Sequence, residues 1–217
     1  MDRMGRHLEK YSQEVRYAYG QYVIKLMRQT GMIRTKVFGT ENLPEEGGYM
    51  MYPNHQGKYD AYGIISVHEK PCSFVMDKAK SYKLFISQAL EMLQGKRLDK
   101  EDLRQALTII NEVAEEVKKG ARYILFPEGK YEDNKNTLQE FKSGCFKIAL
   151  KSKAPVVPVA LIDSYKVFDS NHIGPVDTQV HFLEPIFYEE YKGMKTPQLA
   201  DLVRSRIQEK IDEVADY

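Results

Sequence analysis

Apolar residues recur at helical spacing through "EVRYAYGQYVIKLMRQTG", residues 14–31, where Val15, Ala18, Tyr19, Tyr22, Val23, Leu26 and Met27 share one face and Gly31 is a stop. "IRTKVFG" then alternates like a half-buried strand, and "ENLPEEGG" is turn chemistry. "YMMYPN" reads as a buried strand, followed by a predicted helix over 57–68. "CSFVMD" predicts another strand, and "KAKSYKLFISQALEMLQG" a helix. The clearest helical pattern covers 100–119. There Leu103, Ala106, Leu107, Ile110, Val113, Ala114 and Val117 line one face, with Asp99 as the expected N-cap and Gly120 as the stop. "RYILFPEG" predicts a strand running into a loop, and "LQEFKSGCFKIALKSK" a helix. "APVVPVALI" predicts an apolar strand whose Pro158 points to an edge or a bend. "TQVHFLEPIFY" predicts a late strand, and 197–216 a closing amphipathic helix. Strands alternating with helices imply an α/β fold, a mainly parallel sheet flanked by helices, with an N-terminal amphipathic helix over 1–31 and the main domain over 32–217.

Composition narrows the picture. The chain has 217 residues, enough for one such domain, and 32 basic against 31 acidic residues, a balance that argues against a dedicated nucleic-acid binder. Charge is uneven, however. Residues 1–40 carry eight Lys or Arg (Arg3, Arg6, Lys10, Arg16, Lys25, Arg28, Arg34, Lys36) against three acids (Asp2, Glu9, Glu14), a distribution suited to an anionic surface. The two cysteines, Cys72 and Cys145, make no disulfide framework, which implies a reducing compartment. The N-terminus is too charged for a signal peptide, and no apolar run reaches the roughly 20 residues that span a bilayer. The expectation is a chain that is soluble or lies on a membrane.

Candidate chemistry gathers where strands end. "YPNHQGKYD" follows a strand and places His55 and Asp60 where ligands bind in parallel sheets. An imidazole there can take a proton from a hydroxyl, with the carboxylate orienting its other nitrogen. Spacing alone leaves open that Asp60 caps a helix and His55 is a loop residue. "LFPEGKYEDN" adds the Glu128 carboxylate, Gly129, and the cations Lys130 and Lys135, or else an ordinary turn. Lys96, Arg97 and Lys100 surround an expected helix start, a place that favours anions. Lys142 and Gly144 precede an apolar strand. His7, His55, His68, His172 and His181 show no metal-ligand spacing, and there is neither a P-loop nor a G-x-S-x-G elbow.

Taken in order, these stretches resemble the glycerolipid acyltransferases of the 1-acylglycerol-3-phosphate acyltransferase (PlsC-like) family. "NHQGKYD" is similar to its N-H-x-S-x-x-D block, "LFPEGK" to its F-P-E-G block, "FKSG" to its F-K-x-G, and "APVVPVAL" to its P-x-x-P-V strand. "LDKED" is similar to the block ending in I-D-R, and "VFGTENLPEEGGYMMYPNH" to the run leading to the histidine; together they span about residues 36–162. The resemblance implies an O-acyltransferase in which His55 deprotonates the sn-2 hydroxyl of lysophosphatidate and Asp60 orients the ring. The hydroxyl oxygen then attacks an acyl thioester, giving phosphatidate. It also implies substrate-binding roles for Asn54, Arg97, Lys100, Glu128, Gly129, Lys130 and Lys142. The co-substrate would be acyl-CoA or acyl carrier protein, with no metal, no cofactor and no covalent acyl-enzyme.

The chain departs from that pattern at several positions. Gly57 stands where the family has serine. Lys100 replaces the arginine of I-D-R and cannot make the same bidentate contact, and Lys130 and Tyr131 stand where Thr-Arg is common. These changes leave other acceptors open: glycerol-3-phosphate, another lysophospholipid or an amino-acid lipid. A thioesterase or lipid hydrolase using the same histidine, and a non-catalytic lipid-binding module, are further alternatives. Family members often begin with a membrane-embedded segment. Here the tyrosine-rich, basic stretch from Tyr11 to Arg28 would lie among headgroups, placing the protein in the cytoplasm, peripheral at the inner face of the cell membrane.

Overall fold

The computed structural model describes residues 2–168 and 174–214, so His172 and the last two positions of the expected 197–216 helix lie outside the described residues. The strands are β1 (Ile33–Phe38), β2 (Tyr49–Pro53), β3 (Ser73–Asp77), β4 (Lys96–Leu98), β5 (Arg122–Ile124), β6 (Val156–Ile162) and β7 (Val176–Phe182). The helices are α1 (Asp2–Arg6), α2 (Gln13–Thr30), α3 (Asp60–Val67), α4 (Leu84–Met92), α5 (Leu103–Lys118), α6 (Lys147–Ser152), α7 (Tyr188–Tyr191) and α8 (Thr196–Val214). Among the described residues the strands form one seven-stranded sheet in the order β1-β7-β6-β2-β5-β3-β4. All neighbours are parallel except β6 and β7, so the sheet is mainly parallel, as the alternating elements predict.

β2 shows how the pattern builds the core. Its side chains alternate between the two faces: Tyr49 and Met51 pack with α2, α3 and α4, while Met50 and Tyr52 pack with α5, α6 and α8. Both faces are covered, so the strand reads as a continuous apolar run. Gly48, just before it, passes between the Val117 and Ala121 carbonyls, and a Cβ there would stand 2.2 Å and 2.4 Å from those oxygens.

Several expectations need correction, each for a tertiary reason. Pro158 lies in an interior strand, between β7 and β2, and is neither at an edge nor exposed. It is tolerated because the β6–β7 ladder is interrupted there. Pairing starts at Val159–Phe182, Pro158 offers its carbonyl to the Leu183 N–H, and a separate bridge joins Val156 to Ile186. The helix expected over 57–68 begins only at Asp60, because the Gln56 and Gly57 N–H groups turn onto the Asp60 carboxylate. The stretch after β3 splits into a 3-10 turn, Lys78–Lys80, and α4, since Asp77 accepts the Ala79 N–H and Ser81 returns a bond to the Lys78 carbonyl.

Asp102, not Asp99, caps α5, accepting from the N–H groups of Arg104 and Gln105; Asp99 instead pairs with Lys78. The packed face of α5 starts at Ile110, leaving Leu103 and Leu107 exposed beside a three-residue edge strand. The helix expected from "LQEFKSG" onward shortens to a 3-10 turn at Ser143–Phe146 and α6, because the preceding residues bond to the Glu128 loop.

α2 is also rotated from the face its apolar residues suggest. Arg16, Tyr17, Gly20 and Ile24 are buried, while Val15, Ala18, Tyr19, Tyr22 and Leu26 are exposed and Val23 and Met27 half-buried. Polar anchors decide this. The Arg16 guanidinium donates to the Met92 carbonyl at 2.8 Å and to the Gln94 amide at 2.9 Å, and Tyr17 Oη donates to the His68 carbonyl at 3.0 Å. A stripe of tyrosine and aliphatic side chains is left facing outward.

Replacing Gly48 with alanine should lower stability by about 1–3 kcal/mol, because two backbone carbonyls must yield to the new Cβ. Urea unfolding followed by circular dichroism measures it, and a midpoint equal to the parent's would mean that the α5–β5 connection moves aside freely.

Candidate active site

The candidate site lies at the carboxyl ends of four consecutive strands, β6, β2, β5 and β3. β2 ends at Pro53 and delivers Asn54 and His55; the loop after β5 delivers Glu128, Gly129 and Tyr131; β6 runs on to Asp163 and Ser164. This is where the sheet geometry favours a ligand.

The His55 imidazole is fixed on three sides. Its Nδ1 meets Asp60 Oδ2 at 2.6 Å, Phe126 stacks on the ring at 4.2 Å, and the Tyr131 ring meets it edge-on at 4.7 Å. With a carboxylate on Nδ1, that nitrogen carries the proton and donates it, leaving Nε2 as the basic nitrogen. Nε2 has no partner among the described residues, and the His55 side chain is 19% exposed, so the ring is shielded but reachable.

Asp60 is fully buried and surrounded by donors. Oδ2 also accepts the Gln56 N–H at 2.6 Å and the Gly57 N–H at 3.0 Å, while Oδ1 accepts the Ser164 hydroxyl. Four donors fill its lone pairs, which compensates the loss of water. The same two N–H groups are thereby occupied and are not open to an oxyanion. A buried network extends from this point. The Gln56 amide accepts the Ser164 N–H at 2.9 Å and donates to Asn136 at 2.8 Å, and Asn136 donates to Asp163 at 3.0 Å.

Glu128 lies beneath His55, 3% exposed. It accepts the His55 backbone N–H at 3.1 Å and the Gln139 amide at 2.9 Å. Burial pushes its carboxyl up from 4.5 to about 7, the Asp60 charge adds to the rise, and the two donors restrain it. Gly129 turns the chain with φ +73°, a conformation that favours glycine.

The remaining sequence candidates are engaged elsewhere. Asn54 is buried and its amide bridges to the next strand, accepting the Leu161 N–H at 2.7 Å and donating to the Leu161 carbonyl at 3.0 Å. Its amide therefore braces β2 against β6. Lys96 and Arg97 stand on β4 and not at a helix start. Lys96 meets Glu116 at 2.6 Å, and Arg97 meets Glu91 at 3.2 Å, Ser87 at 2.9 Å and Ser81 at 3.1 Å. Lys100 pairs with Asp77 at 2.8 Å and donates to the Gly129 carbonyl, tying the turn after β3 to the Glu128 loop. Lys130 pairs with Glu132, and Lys142 with Glu140 at 3.5 Å. Each of these cations already has a carboxylate partner.

Gln56, Asn136, Gln139 and Ser164 join the site with no signal in the sequence. Uncharged polar residues scattered over a hundred positions carry no spacing signal, and only the closing of β2, β5 and β6 against one another assembles them.

Comparisons with known proteins agree with this architecture. A family model described as Acyltransferase matches residues 34–162. A chloroplastic 1-acyl-sn-glycerol-3-phosphate acyltransferase of Brassica napus is 31% identical over 84% of this chain and 52% of that protein. The 1-acyl-sn-glycerol-3-phosphate acyltransferase of Saccharomyces cerevisiae is 28% identical over 89% of this chain and 64% of its own length. The chain thus spans about half to two-thirds of these relatives. Among solved structures, the 1-acyl-sn-glycerophosphate (LPA) acyltransferase PlsC from Thermotoga maritima has the same fold, with a TM-score of 0.72 over 91% of this chain and 82% of that one at 22% identity.

The Glu128 shift sets a sign for pH dependence. Between about 4.5 and about 7 the folded state holds a proton that the unfolded chain has released, so this group's contribution to stability falls as pH rises through that interval. Glu128→Gln should flatten the fall in thermal midpoint across the same interval relative to the parent. An identical slope in both proteins would show that Glu128 titrates as an ordinary carboxyl.

Proposed function

This chain belongs to the acyltransferase family, and we propose that it transfers an acyl chain from a thioester to the sn-2 hydroxyl of lysophosphatidate, giving phosphatidate. The observation that carries the reading is the 2.6 Å contact between His55 Nδ1 and a fully buried Asp60, which leaves Nε2 as the basic atom at the strand ends.

In this mechanism His55 Nε2 takes the acceptor's hydroxyl proton as the oxygen attacks the thioester carbonyl. The tetrahedral intermediate collapses, the carbon–sulfur bond breaks, and the departing sulfur takes the proton from the imidazolium, which releases the thiol and restores the neutral base. Asp60 stabilises that imidazolium and keeps the ring from rotating. Phe126 and Tyr131 limit water around the ring, which favours the lipid hydroxyl over hydrolysis. Glu128 holds the His55 backbone through its N–H, and Gly129 forms the turn beside it. The donor is acyl-CoA or acyl carrier protein, and the steps call on no metal or cofactor.

The protein works at a membrane surface in this reading, on the inner face of the cell membrane, with α2 as the contact. Among the described residues no helix is long and apolar enough to cross a bilayer. The outward stripe of Val15, Tyr19, Tyr22 and Leu26, with the exposed Lys25 on the same helix, fits the headgroup region, where tyrosines sit and cations meet anionic lipid.

Thiol release from palmitoyl-CoA or from acyl carrier protein, followed with and without lysophosphatidate, tests the reaction. Release should need donor and acceptor together and fall by about 10²–10⁴ in His55→Ala. Release without acceptor would identify a hydrolase, and turnover only with another acceptor would replace the headgroup. For the surface, Tyr22→Glu with Leu26→Glu should abolish co-sedimentation with anionic vesicles while leaving the thermal midpoint near the parent's. Retained vesicle binding would remove α2 from the contact.

A further inference from the structure

Recognition of a phosphate next to the reacting hydroxyl calls for a cation within reach of His55 that is not already neutralised. Most of the positions expected to supply one do not, and Lys135, exposed and without a carboxylate partner among the described residues, does not touch the His55 ring cluster. Tyr131 stands where arginine is common, and Arg97, Lys100, Lys130 and Lys142 are paired with Glu91, Asp77, Glu132 and Glu140. A different lysine stands beside the ring cluster. Lys80, exposed at the end of the 3-10 turn after β3, holds its Nζ 5.7 Å from the centroid of Tyr131, the ring that meets His55 edge-on at 4.7 Å. Among the described residues Lys80 has no carboxylate within ion-pair distance.

We propose that Lys80, positioned over Tyr131, is the cation that recognises the phosphate of the acceptor. The proposal rests on the acyl-transfer reading above and names the group that gives it headgroup specificity.

Three features make Lys80 suited to this. Its backbone is held firmly: Asp77 accepts the Ala79 N–H at 2.9 Å, Lys78 pairs with Asp99 at 3.1 Å, and Ser81 Oγ donates to the Lys78 carbonyl at 2.7 Å. The turn is also tied to the Gly129 loop through Lys100, which links Asp77 to the Gly129 carbonyl, so Lys80 and Tyr131 keep their relation. Finally, the spacing suits the ligand. One carbon and one ester oxygen separate the sn-2 carbon of lysophosphatidate from its phosphorus, and one tyrosine ring separates Lys80 from His55. The Tyr131 face attracts the ammonium and restricts it without neutralising it. A lysine in this place is a point charge and lacks the fork of an arginine, so it selects for negative charge more than for phosphate geometry.

The test compares lysophosphatidate with monoacylglycerol of the same chain, which has the same free hydroxyl and no phosphate. Kinetics in mixed micelles should show Lys80→Ala losing about tenfold or more in kcat/KM for lysophosphatidate, with monoacylglycerol unchanged and Lys80→Arg restoring the preference. Lys100→Ala, which loosens the turn, should impair both acceptors alike. Equilibrium binding of a short-chain, water-soluble lysophosphatidate to His55→Ala and to His55→Ala/Lys80→Ala needs no turnover. It therefore separates failure of this assignment from failure of the reaction. Loss of phosphate-dependent affinity in the double variant supports the assignment even if no acceptor is turned over. Equal effects of Lys80→Ala on both acceptors, or none on either, would overturn it.

Discussion

The carboxylate of Asp60 is the point on which the site depends. It is removed entirely from water, and such a charge is tolerated only when its lone pairs are filled. The donors come from the His55 ring, from the Gln56 and Gly57 N–H groups and from the Ser164 hydroxyl. One requirement thus fixes where β2 ends, where α3 begins and how the segment after β6 closes over both. The imidazole inherits its orientation from the same carboxylate. Stability of the strand ends and readiness of the base are two consequences of one desolvated charge.

Around that point the polar groups divide into those that hold and those left to act. Asn54 closes the β2–β6 seam on Leu161, and Gln56 links Ser164 to Asn136. Glu128 supports the histidine backbone while its own ionisation is pushed toward neutrality by burial. Lys100 joins the Asp77 turn to the Gly129 loop. Buried hydrogen-bonded groups of this kind keep a base in place without touching what it acts upon, and they explain why few charges near His55 remain unpaired.

α2 follows a different logic. Its outward face is richer in large apolar side chains than a solvent-facing helix needs, because Arg16 and Tyr17 claim the inward positions with bonds to Met92, Gln94 and His68. Several well-directed hydrogen bonds at the ends of α3 and α4 outweigh the burial of a few more methyl groups. The apolar stripe that results has no partner within the described chain, which is why a lipid surface enters the functional reading.

Residue periodicity determined the alternation of strands and helices and the mainly parallel sheet, and motifs contiguous in the chain placed His55 and Glu128 after strands and Asp60 near the following helix start, because each of these is a short-range pattern. What the tertiary structure decided lies in interactions between distant segments. Pro158 is interior because the β7 ladder breaks opposite it, the α5 cap moves to Asp102 because Lys78 claims Asp99, and α2 turns its apolar face outward because its polar residues find carbonyls to bind. The lysines beside the F-P-E-G block illustrate the same division. Lys130 finds its carboxylate two residues along the chain at Glu132, whereas Lys100 is neutralised only because β3 brings up Asp77. Only the folded sheet reveals that Lys100 is a clip and that Lys80, over the Tyr131 ring, has no carboxylate within ion-pair distance among the described residues.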